Sequence, residues 1–365
     1  MKYSIDELSE KLKAAREAYY NLDPVMTDSE YDLLLRELKS LSPNHPEVVK
    51  VGAEIADNSP FIKVKHEIPM GSLNKVNSYE EFLSWSKKLN TSDLFISHKI
   101  DGISMELTYE NGKFTRAVTR GDGIIGEDVT HNIKLIKSIP KEISAEGVCY
   151  VRGEVVMLKS VFQEKFSSEY ANPRNTTAAK VREKKGADCE FLDFRAYFIH
   201  NGNKFVSLSQ QFSTLRELGF ILPSLSEKVK IESVESVFNK QRDVRSEIEY
   251  EIDGLVISAD SIDLLEALGE INQRPEGQIA WKFEALSGIT RAVEVKWYTG
   301  TTGRIAPVMV VEPVEIGGVK ISRVSLHNIS MFKSLNLFKG CRVLISRKND
   351  VIPYCEKNLD DVSQV

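Results

Sequence analysis

Apolar residues recur at helical spacing over the first 50 residues of the chain. The spacing predicts two amphipathic helices, whose stripes are Leu8, Leu12, Ala15 and Tyr19, and then Tyr31, Leu34, Leu35 and Leu38. Ser4 and Glu7 have the pattern of a capping box at the start of the first helix. Thr27 or Asp28 is suited to cap the second. Residues 1–60 are therefore predicted to form a small helical module.

Short apolar runs separated by turn residues replace the helical pattern from about residue 66 onward. Strands are predicted at 94–98, 103–109, 114–119, 149–157, 195–200 and 255–257, with helices at 79–89 and 158–170. This mixture is typical of an α+β fold built on mostly antiparallel sheets. From residue 291 the pattern is all strand and punctuated by glycine, which favours a small five-stranded β-barrel of the OB type.

Composition adds limits to this picture. The chain has 365 residues, enough for two or three domains. The longest apolar runs are far shorter than a membrane span, and the N-terminus has no apolar signal region. The four cysteines are scattered and show no zinc-ligand spacing. These features predict a cytoplasmic protein with no membrane partner.

Charge is distributed unevenly. The net charge is −5, but residues 291–348 carry ten Lys and Arg side chains and only three Glu. A basic module is suited to a nucleic-acid backbone. A solvated basic face without a partner is the alternative.

One lysine is oddly placed for a solubilising charge. Lys99 opens the sequence Lys-Ile-Asp-Gly between two predicted strands. The same four residues are also common in surface turns. A lysine between strands is suited to attack phosphorus, provided that burial or nearby cations lower its pKa.

Further charged residues lie in or beside apolar strands downstream. Arg120 stands in a Gly-rich turn, Glu154 lies inside a strand, Arg174 and Arg182 are eight residues apart, and Lys282 lies in an apolar strand. Each has an ordinary structural explanation, as a turn residue or as one half of an ion pair. Their order within one stretch instead favours a site that binds phosphate and sugar.

At this point the chain resembles the covalent nucleotidyltransferases, and more closely the NAD-dependent DNA ligases. The matching segments are Lys99–Gly102, His66–Met70, Thr119–Gly123, Gly126–Thr130, Arg152–Glu154, Asn172–Asn175, Asp253–Ile257, Trp281–Phe283 and, in the barrel, Thr302–Arg304, Ser322–Arg323, Leu326–Asn328 and Asp350–Pro353. The resemblance implies an N-terminal module that binds nicotinamide mononucleotide (NMN) at 1–60. It implies a nucleotidyltransferase core with ATP-grasp-like antiparallel sheets at 61–290, and an OB-fold at 291–365.

The resemblance also implies roles for individual residues. Lys99 would attack the α-phosphate of NAD⁺ and form lysyl-AMP, and Asp101 would orient it. Other catalytic positions would be Arg174, Arg182, Arg245 and Lys282. Cofactor contacts would come from Tyr19, Tyr20, Asp28, Tyr31, Asp32, Ser72, Leu73, Ser97, Arg120, Glu154 and Lys282.

In the family, AMP then passes to the 5′-phosphate of a nick in double-stranded DNA, which the 3′-hydroxyl seals in replication or repair. Mg²⁺ (or Mn²⁺) would offset phosphate charge while held by substrate phosphates and water, with no metal ligands assigned to the chain. A DNA ligase activity is thus the expectation. An ATP- or GTP-dependent RNA ligase or capping enzyme is a further reading, and the NMN-type module argues against it.

Several positions depart from the family pattern. Ser97 stands where an acid is usual, Ser258 replaces a lysine, and His98 and Asn349 are also unusual. The serines motivate an alternative, a degenerate ligase-like protein that binds NAD⁺ or nicked DNA without turnover. The family's zinc finger, helix-hairpin-helix repeats and BRCT domain have no counterpart here. A shortened form, a minimal ligase, or one subunit whose partner chain brings those parts would each explain this.

Overall fold

The computed structural model describes residues 3–21, 28–43, 45–50, 59–170, 172–283, 286–299, 305–316, 319–326, 332–333, 335–348 and 352–360. The chain divides into two compact units. One comprises Met1–Asp23 and Glu37–Phe283, and the other comprises Pro24–Arg36 and Glu284–Val365.

The N-terminal region contains the two helices that the apolar stripes predict and a short third one. They are α1 (Ile5–Asn21), α2 (Asp28–Leu41) and α3 (Pro46–Val49). The capping box is formed, since the Ser4 amide donates to Glu7 Oε2 at 2.8 Å and the Glu7 amide donates to Ser4 Oγ at 3.2 Å. Arg16 of α1 and Glu47 of α3 form a buried ion pair at 2.6 Å. This pair fastens the first helix to the third.

The rest of the first unit is built on two main sheets. Its strands are β1 (Lys63–Lys65), β2 (Asn74–Val76), β3 (Asp93–Ile100), β4 (Ile103–Glu110), β5 (Lys113–Thr119), β6 (Ile125–Glu127), β7 (Val148–Met157), β8 (Leu192–His200), β9 (Ser226–Lys230), β10 (Ile252–Ala259), β11 (Glu270–Ile271), β12 (Arg274–Pro275) and β13 (Gln278–Lys282). One sheet has the order β2-β13-β10-β3-β9, and the other has the order β5-β4-β7-β8. All pairings within them are antiparallel except that of β2 with β13.

Helices cover these sheets. They are α4 (Tyr79–Ser86), α5 (Thr130–Ile133), α6 (Lys159–Lys165), α7 (Pro173–Val181), α8 (Leu208–Glu217), α9 (Val234–Val244) and α10 (Ile262–Leu268). The predicted helix at 158–170 is wrong in length, because α6 ends at Lys165 and the chain turns at once.

The five-stranded sheet is buried on both faces. Phe95 of β3 packs into the core shared with the four-stranded sheet. Its neighbours Leu94 and Ile96 pack into a second core with α4 and α9, where Phe238 stacks on Trp281 at 3.9 Å. Alternating side chains point to opposite faces, so this arrangement explains the continuous apolar run before Lys99.

The second unit contains a closed five-stranded barrel. Its strands are β14 (Leu286–Thr299), β15 (Ile305–Ile316), β16 (Val319–Ser325), β17 (Arg342–Lys348) and β18 (Ile352–Asn358), in the order β14-β15-β16-β18-β17. The predicted α+β fold class and the C-terminal barrel are therefore confirmed. Within the described segments, none of the helices has the length and apolarity to cross a membrane.

Candidate active site

Lys99 lies near the end of β3, which is an inner strand of the five-stranded sheet. It pairs with Gly254 of β10, which in turn pairs with Lys282 of β13. Paired residues point to the same face of a sheet. Lys99 and Lys282 therefore share the face that is turned toward the four-stranded sheet. The Lys99 side chain is 26% exposed, so the face remains open to a ligand at this point.

A β-bulge supplies Lys99 with an acidic partner. Ile252 pairs with Ile100, and Gly254 already pairs with Lys99, which leaves Asp253 as the extra residue of β10. A bulge changes the direction of a side chain, and here the Asp253 carboxylate accepts from Lys99 Nζ at 2.8 and 2.9 Å. Lys282 Nζ lies 3.5 Å from the same carboxylate. Two ammonium groups thus share Asp253.

The charge state of Asp253 follows from these contacts. Burial by itself would raise the pKa of this carboxyl, but the charges of Lys99 and Lys282 outweigh burial and lower the pKa to about 2. Lys75 of β2 adds to the same effect. Because Lys75 pairs with Ala280, two residues before Lys282, it lies on the same sheet face.

The turn after β3 brings in a guanidinium group. Arg174 Nη1 donates to Asp101 Oδ1 at 2.6 Å, and Arg174 lies in the first turn of α7, whose N-cap is Asn172. Gly102 is required at this turn, because a Cβ there would lie 2.4 Å from the Val155 carbonyl oxygen. The turn therefore packs directly on the β7 backbone.

The facing sheet contributes a carboxyl group. Ser104 of β4 pairs with Glu154 of β7, and Ser104 Oγ donates to Glu154 Oε1 at 2.5 Å. Burial raises the pKa of Glu154 to about 7, although Ser104 and the charges of Arg120, Lys99 and Arg174 act in the opposite sense. Arg120, Lys99 and Arg174 are therefore close enough to Glu154 for their charges to act on it, and their binding of a nucleotide stays a prediction.

The remaining cofactor positions lie on the same framework. Ser97 is buried on the Lys99 face, between Val256 of β10 and Ser226 of β9. Ser72 and Leu73 directly precede β2 and are partly buried, and the Ser72 amide donates to the Gln273 carbonyl at 3.0 Å. Their contact with a nucleotide stays a prediction.

Two of the predicted phosphate-binding arginines, Arg182 and Arg245, have described contacts with residues other than Lys99. Arg182 stands at the C-terminal end of α7, roughly 12 Å along the helix axis from Arg174 at 1.5 Å per residue. Its Nε donates to Glu127 Oε2 at 2.9 Å. Arg245 is buried, with its guanidinium 6.0 Å from the centre of the Phe283 ring. Their catalytic roles stay predictions.

The proposed NMN contacts lie on the first two helices. Tyr19 and Tyr20 belong to the last turn of α1, and their side chains lie outside the described residues. Asp28 begins α2, and its side chain also lies outside them. Tyr31 and Asp32 follow on α2 and are partly buried.

Among the residues that the structure describes, no group of three His, Cys, Asp or Glu side chains could hold a metal ion.

Three family models match consecutive parts of the chain. The NAD-dependent DNA ligase adenylation domain matches residues 58–286, the NAD-dependent DNA ligase OB-fold domain matches 289–364, and the ligase-like N-terminal NAD⁺-binding domain matches 1–60. The chain belongs to the NAD-dependent DNA ligase family.

Curated members of this ligase family match nearly the whole chain. A DNA ligase of Sorangium cellulosum (strain So ce56) is 36% identical over 98% of this chain and 56% of that protein. A DNA ligase of Oceanobacillus iheyensis is 37% identical over 96% of this chain and 56% of that protein. The chain therefore spans a little over half the length of these relatives. The solved structure named "Pmar-Lig_PreS3" aligns with a TM-score of 0.44 at 16% identity, over 77% of this chain and 62% of that one. That likeness is too distant to add to the assignment.

Within this ligase-family site, sequence reasoning missed three residues. Asp253 was named only as the first residue of a segment that resembles the ligase family, and neither Lys75 nor Ser104 was selected. A signal existed for Asp253, because an acid followed by glycine in an apolar strand is typical of a bulge. Lys75 and Ser104 can be recognised as site residues only when the pairing of the strands is known.

Proposed function

We propose that this chain catalyses the NAD⁺-dependent adenylylation that begins DNA ligation. The observation that carries the proposal is the contact of Lys99 with Asp253 and of Asp253 with Lys282, at a partly exposed position where the charge of Lys99 also acts on Glu154. The Lys99 amine would attack the adenylyl phosphorus of NAD⁺. A nitrogen–phosphorus bond forms, the phosphorus–oxygen bond to NMN breaks, and NMN leaves.

The shared carboxylate is suited to this step. Only the amine form of lysine is nucleophilic. Lys99 therefore has to lose a proton, and with it the ion pair to Asp253, before it attacks. Lys282 already lies 3.5 Å from Asp253 and would take over the carboxylate. With a pKa of about 2, Asp253 is too weak a base to keep the proton of Lys99. Its role is to orient the two lysines, and the proton goes on to solvent or substrate.

The other residues would hold the nucleotide. Glu154 accepts from Ser104 and has a second carboxylate oxygen for ribose hydroxyls. Arg120 and Arg174 bring guanidinium forks, which match phosphate oxygens. We assign nucleotide contacts to Ser72, Leu73 and Ser97, and phosphate contacts in later steps to Arg182 and Arg245. We assign NMN contacts to Tyr19, Tyr20, Asp28, Tyr31 and Asp32.

The later steps follow the family's chemistry. AMP would pass from Lys99 to the 5′-phosphate of nicked double-stranded DNA, and the 3′-hydroxyl would displace it. The basic barrel is suited to the DNA backbone. Mg²⁺ would offset phosphate charge when bound through the substrate. A second chain as DNA clamp and a cytoplasmic location remain predictions.

The test is the intact mass of the protein after incubation with NAD⁺ and Mg²⁺. We expect a gain of one AMP in the wild type, none with ATP in place of NAD⁺, and none in Lys99→Ala. Calorimetric titration with NAD⁺ distinguishes this proposal from the alternative, a ligase-like protein that binds NAD⁺ without turnover. A folded wild type that binds NAD⁺ but forms no adduct, and is not already adenylylated as purified, would instead be a binding protein without turnover.

A further inference from the structure

Three polar residues, Glu106, His66 and Arg152, are buried together beside the Ser104–Glu154 pair. Glu106 of β4 pairs with Arg152 of β7, two residues along each strand from Ser104 and Glu154 and on the same sheet face. Arg152 Nε donates to Glu106 Oε2 at 2.8 Å. His66 Nδ1 lies 2.9 Å from Glu106 Oε1. Each of the three residues of this triad is at most 8% exposed.

The carboxylate is the centre of the triad. Burial by itself would raise the pKa of Glu106, but the contacts with His66 and Arg152 outweigh burial and lower it. His66 Nε2 lies 3.1 Å from the Thr119 carbonyl oxygen. His66 therefore joins Glu106 to the backbone of Thr119.

Arg152 and His66 both contact Glu106, and each also contacts the backbone of a separate segment. Arg152 Nη1 donates to the Pro69 carbonyl at 3.1 Å, and Nη2 donates to the Ile68 carbonyl. These carbonyls precede Ser72 by a few residues. Thr119, the partner of His66, directly precedes Arg120.

The segments are also joined to one another. The Met70 amide donates to the Gly123 carbonyl at 2.8 Å, and the Arg120 amide donates to the Ser104 carbonyl at 3.2 Å. The triad is therefore the buried junction of the segments that present Ser72 and Leu73, Arg120, and Glu154.

We infer that Glu106, His66 and Arg152 are positioning residues that fix these three nucleotide-contact segments relative to one another. The inference rests on the proposed function, because it assumes that NAD⁺ binds there. None of the three would touch the reacting atoms, since Lys99 and Asp253 belong to the other sheet. Disturbing the triad should therefore weaken NAD⁺ binding and leave the attack by Lys99 nearly unchanged.

The first variant is Glu106→Gln, which keeps the side-chain volume but leaves His66 and Arg152 without their shared carboxylate. We expect the KM for NAD⁺ in lysyl-AMP formation to rise by about tenfold, and the rate at saturating NAD⁺ to stay within about twofold. Tyr109→Phe is the matched control. It removes a buried hydrogen bond from β4, between Tyr109 Oη and the Pro140 carbonyl at 2.8 Å, away from the three segments. It should lower the melting temperature without changing KM.

A second variant keeps the inference testable if Glu106→Gln does not fold. Arg152→Lys keeps the charge but cannot donate to Glu106, Pro69 and Ile68 together, and it should give the same split between KM and rate. Hydrogen exchange should become faster at amides 68–73 and 120–126 in both variants. An unchanged KM in both, or a fall in saturated rate at unchanged KM, would overturn the inference.

Direct binding separates this inference from the proposed function. NAD⁺ is titrated calorimetrically into Lys99→Ala and into Lys99→Ala/Glu106→Gln. Weaker binding only in the double variant supports the triad, and equal binding in both refutes it while leaving the proposed function intact. No binding by Lys99→Ala would refute both.

Discussion

The two sheets of the first unit carry opposite arrangements of charge. On the five-stranded sheet, Lys99 and Lys282 share the single carboxylate of Asp253. On the four-stranded sheet, Glu106 has two partners, His66 and Arg152, and all three are buried. Exchange of partners is easier in the first arrangement than in the second, because the second is more deeply buried. The first arrangement therefore suits the proposed reaction, and the second suits the proposed positioning of a ligand.

Asp253→Asn should have the largest effect, because it removes the carboxylate that orients both lysines. We expect the single-turnover rate of lysyl-AMP formation to fall by roughly 100-fold or more, a loss typical of misplaced reacting groups. Quenched-flow measurement at saturating NAD⁺ checks this.

Asp93→Asn is the control for that variant. Asp93 begins β3 and also holds two lysines, Lys228 and Lys230, but its side chain is 38% exposed. Exposed pairs contribute little, so its rate should equal that of the wild type. Equal rates for Asp253→Asn and wild type would show that the lysines need no shared carboxylate.

The contrast between the sheets was only partly predictable from the sequence. Glu154 and Lys282 were selected because each is a charge within an apolar strand, which needs a partner or a ligand. Lys99 was selected because it is a charge between two predicted strands. The role of Asp253 depends on a bulge that shifts the register by one residue. Gly254 is a hint of that bulge, but which strand pairs with β10 depends on the rest of the fold. The His66–Glu106 contact joins residues 40 positions apart and exists only because β4 folds beside the segment before β2.

The fold could be predicted from the sequence more fully than the site. Alternating and helical stripes gave α1, α2 and most long strands, because each buries one face. Short edge strands such as β1 and β2 were missed, since three residues carry too little pattern. Arg174 and Arg182, expected to act as phosphate ligands, stand at opposite ends of α7, which spacing alone did not reveal.

Glu154→Gln should have the next largest effect and should change a pH profile. Ionised Glu154 accepts hydrogen bonds from ribose hydroxyls better than the neutral form, and hydrogen bonds to charged groups contribute about 1.5–3 kcal/mol. We therefore expect roughly tenfold weaker NAD⁺ binding at pH 8. In the wild type, binding should strengthen between pH 6 and 8, because the pKa of Glu154 is about 7. The glutamine variant should lack this change.

The stability of the apo protein should move in the opposite direction with pH. The folded-state pKa of Glu154 lies above the ordinary value of 4.5, so the folded state binds the proton more tightly. Its contribution is present below pH 4.5 and is lost as pH rises through about 7. Melting temperatures of wild type and Glu154→Gln over this range check the sign. A wild-type profile parallel to that of the variant would contradict it.

Lys75→Gln tests whether the cationic face extends to the edge strand. Its charge reaches Asp253, and it lies on the Lys99 face, but it is exposed. Exposed charges contribute below about 1 kcal/mol, so the KM for NAD⁺ should rise about threefold and the effect should fade with salt. Lys113→Gln, at an exposed position of β5, should change nothing. Equal KM values for the two variants would limit the anion site to Lys99 and Lys282.

Ser104→Ala should have the smallest effect on the amount of NAD⁺ bound and still shift its pH dependence. Ser104 Oγ donates to Glu154 Oε1 at 2.5 Å, and this hydrogen bond lowers the pKa of Glu154 against burial. Without it, Glu154 should ionise at higher pH, so the midpoint of the binding profile should move upward. At pH 8.5 binding should remain within about twofold of wild type, since one hydrogen bond contributes about 1 kcal/mol. An unmoved midpoint would mean that Glu154 does not govern the pH dependence, and the four-stranded sheet would then hold NAD⁺ through Arg120 and the neighbouring backbone.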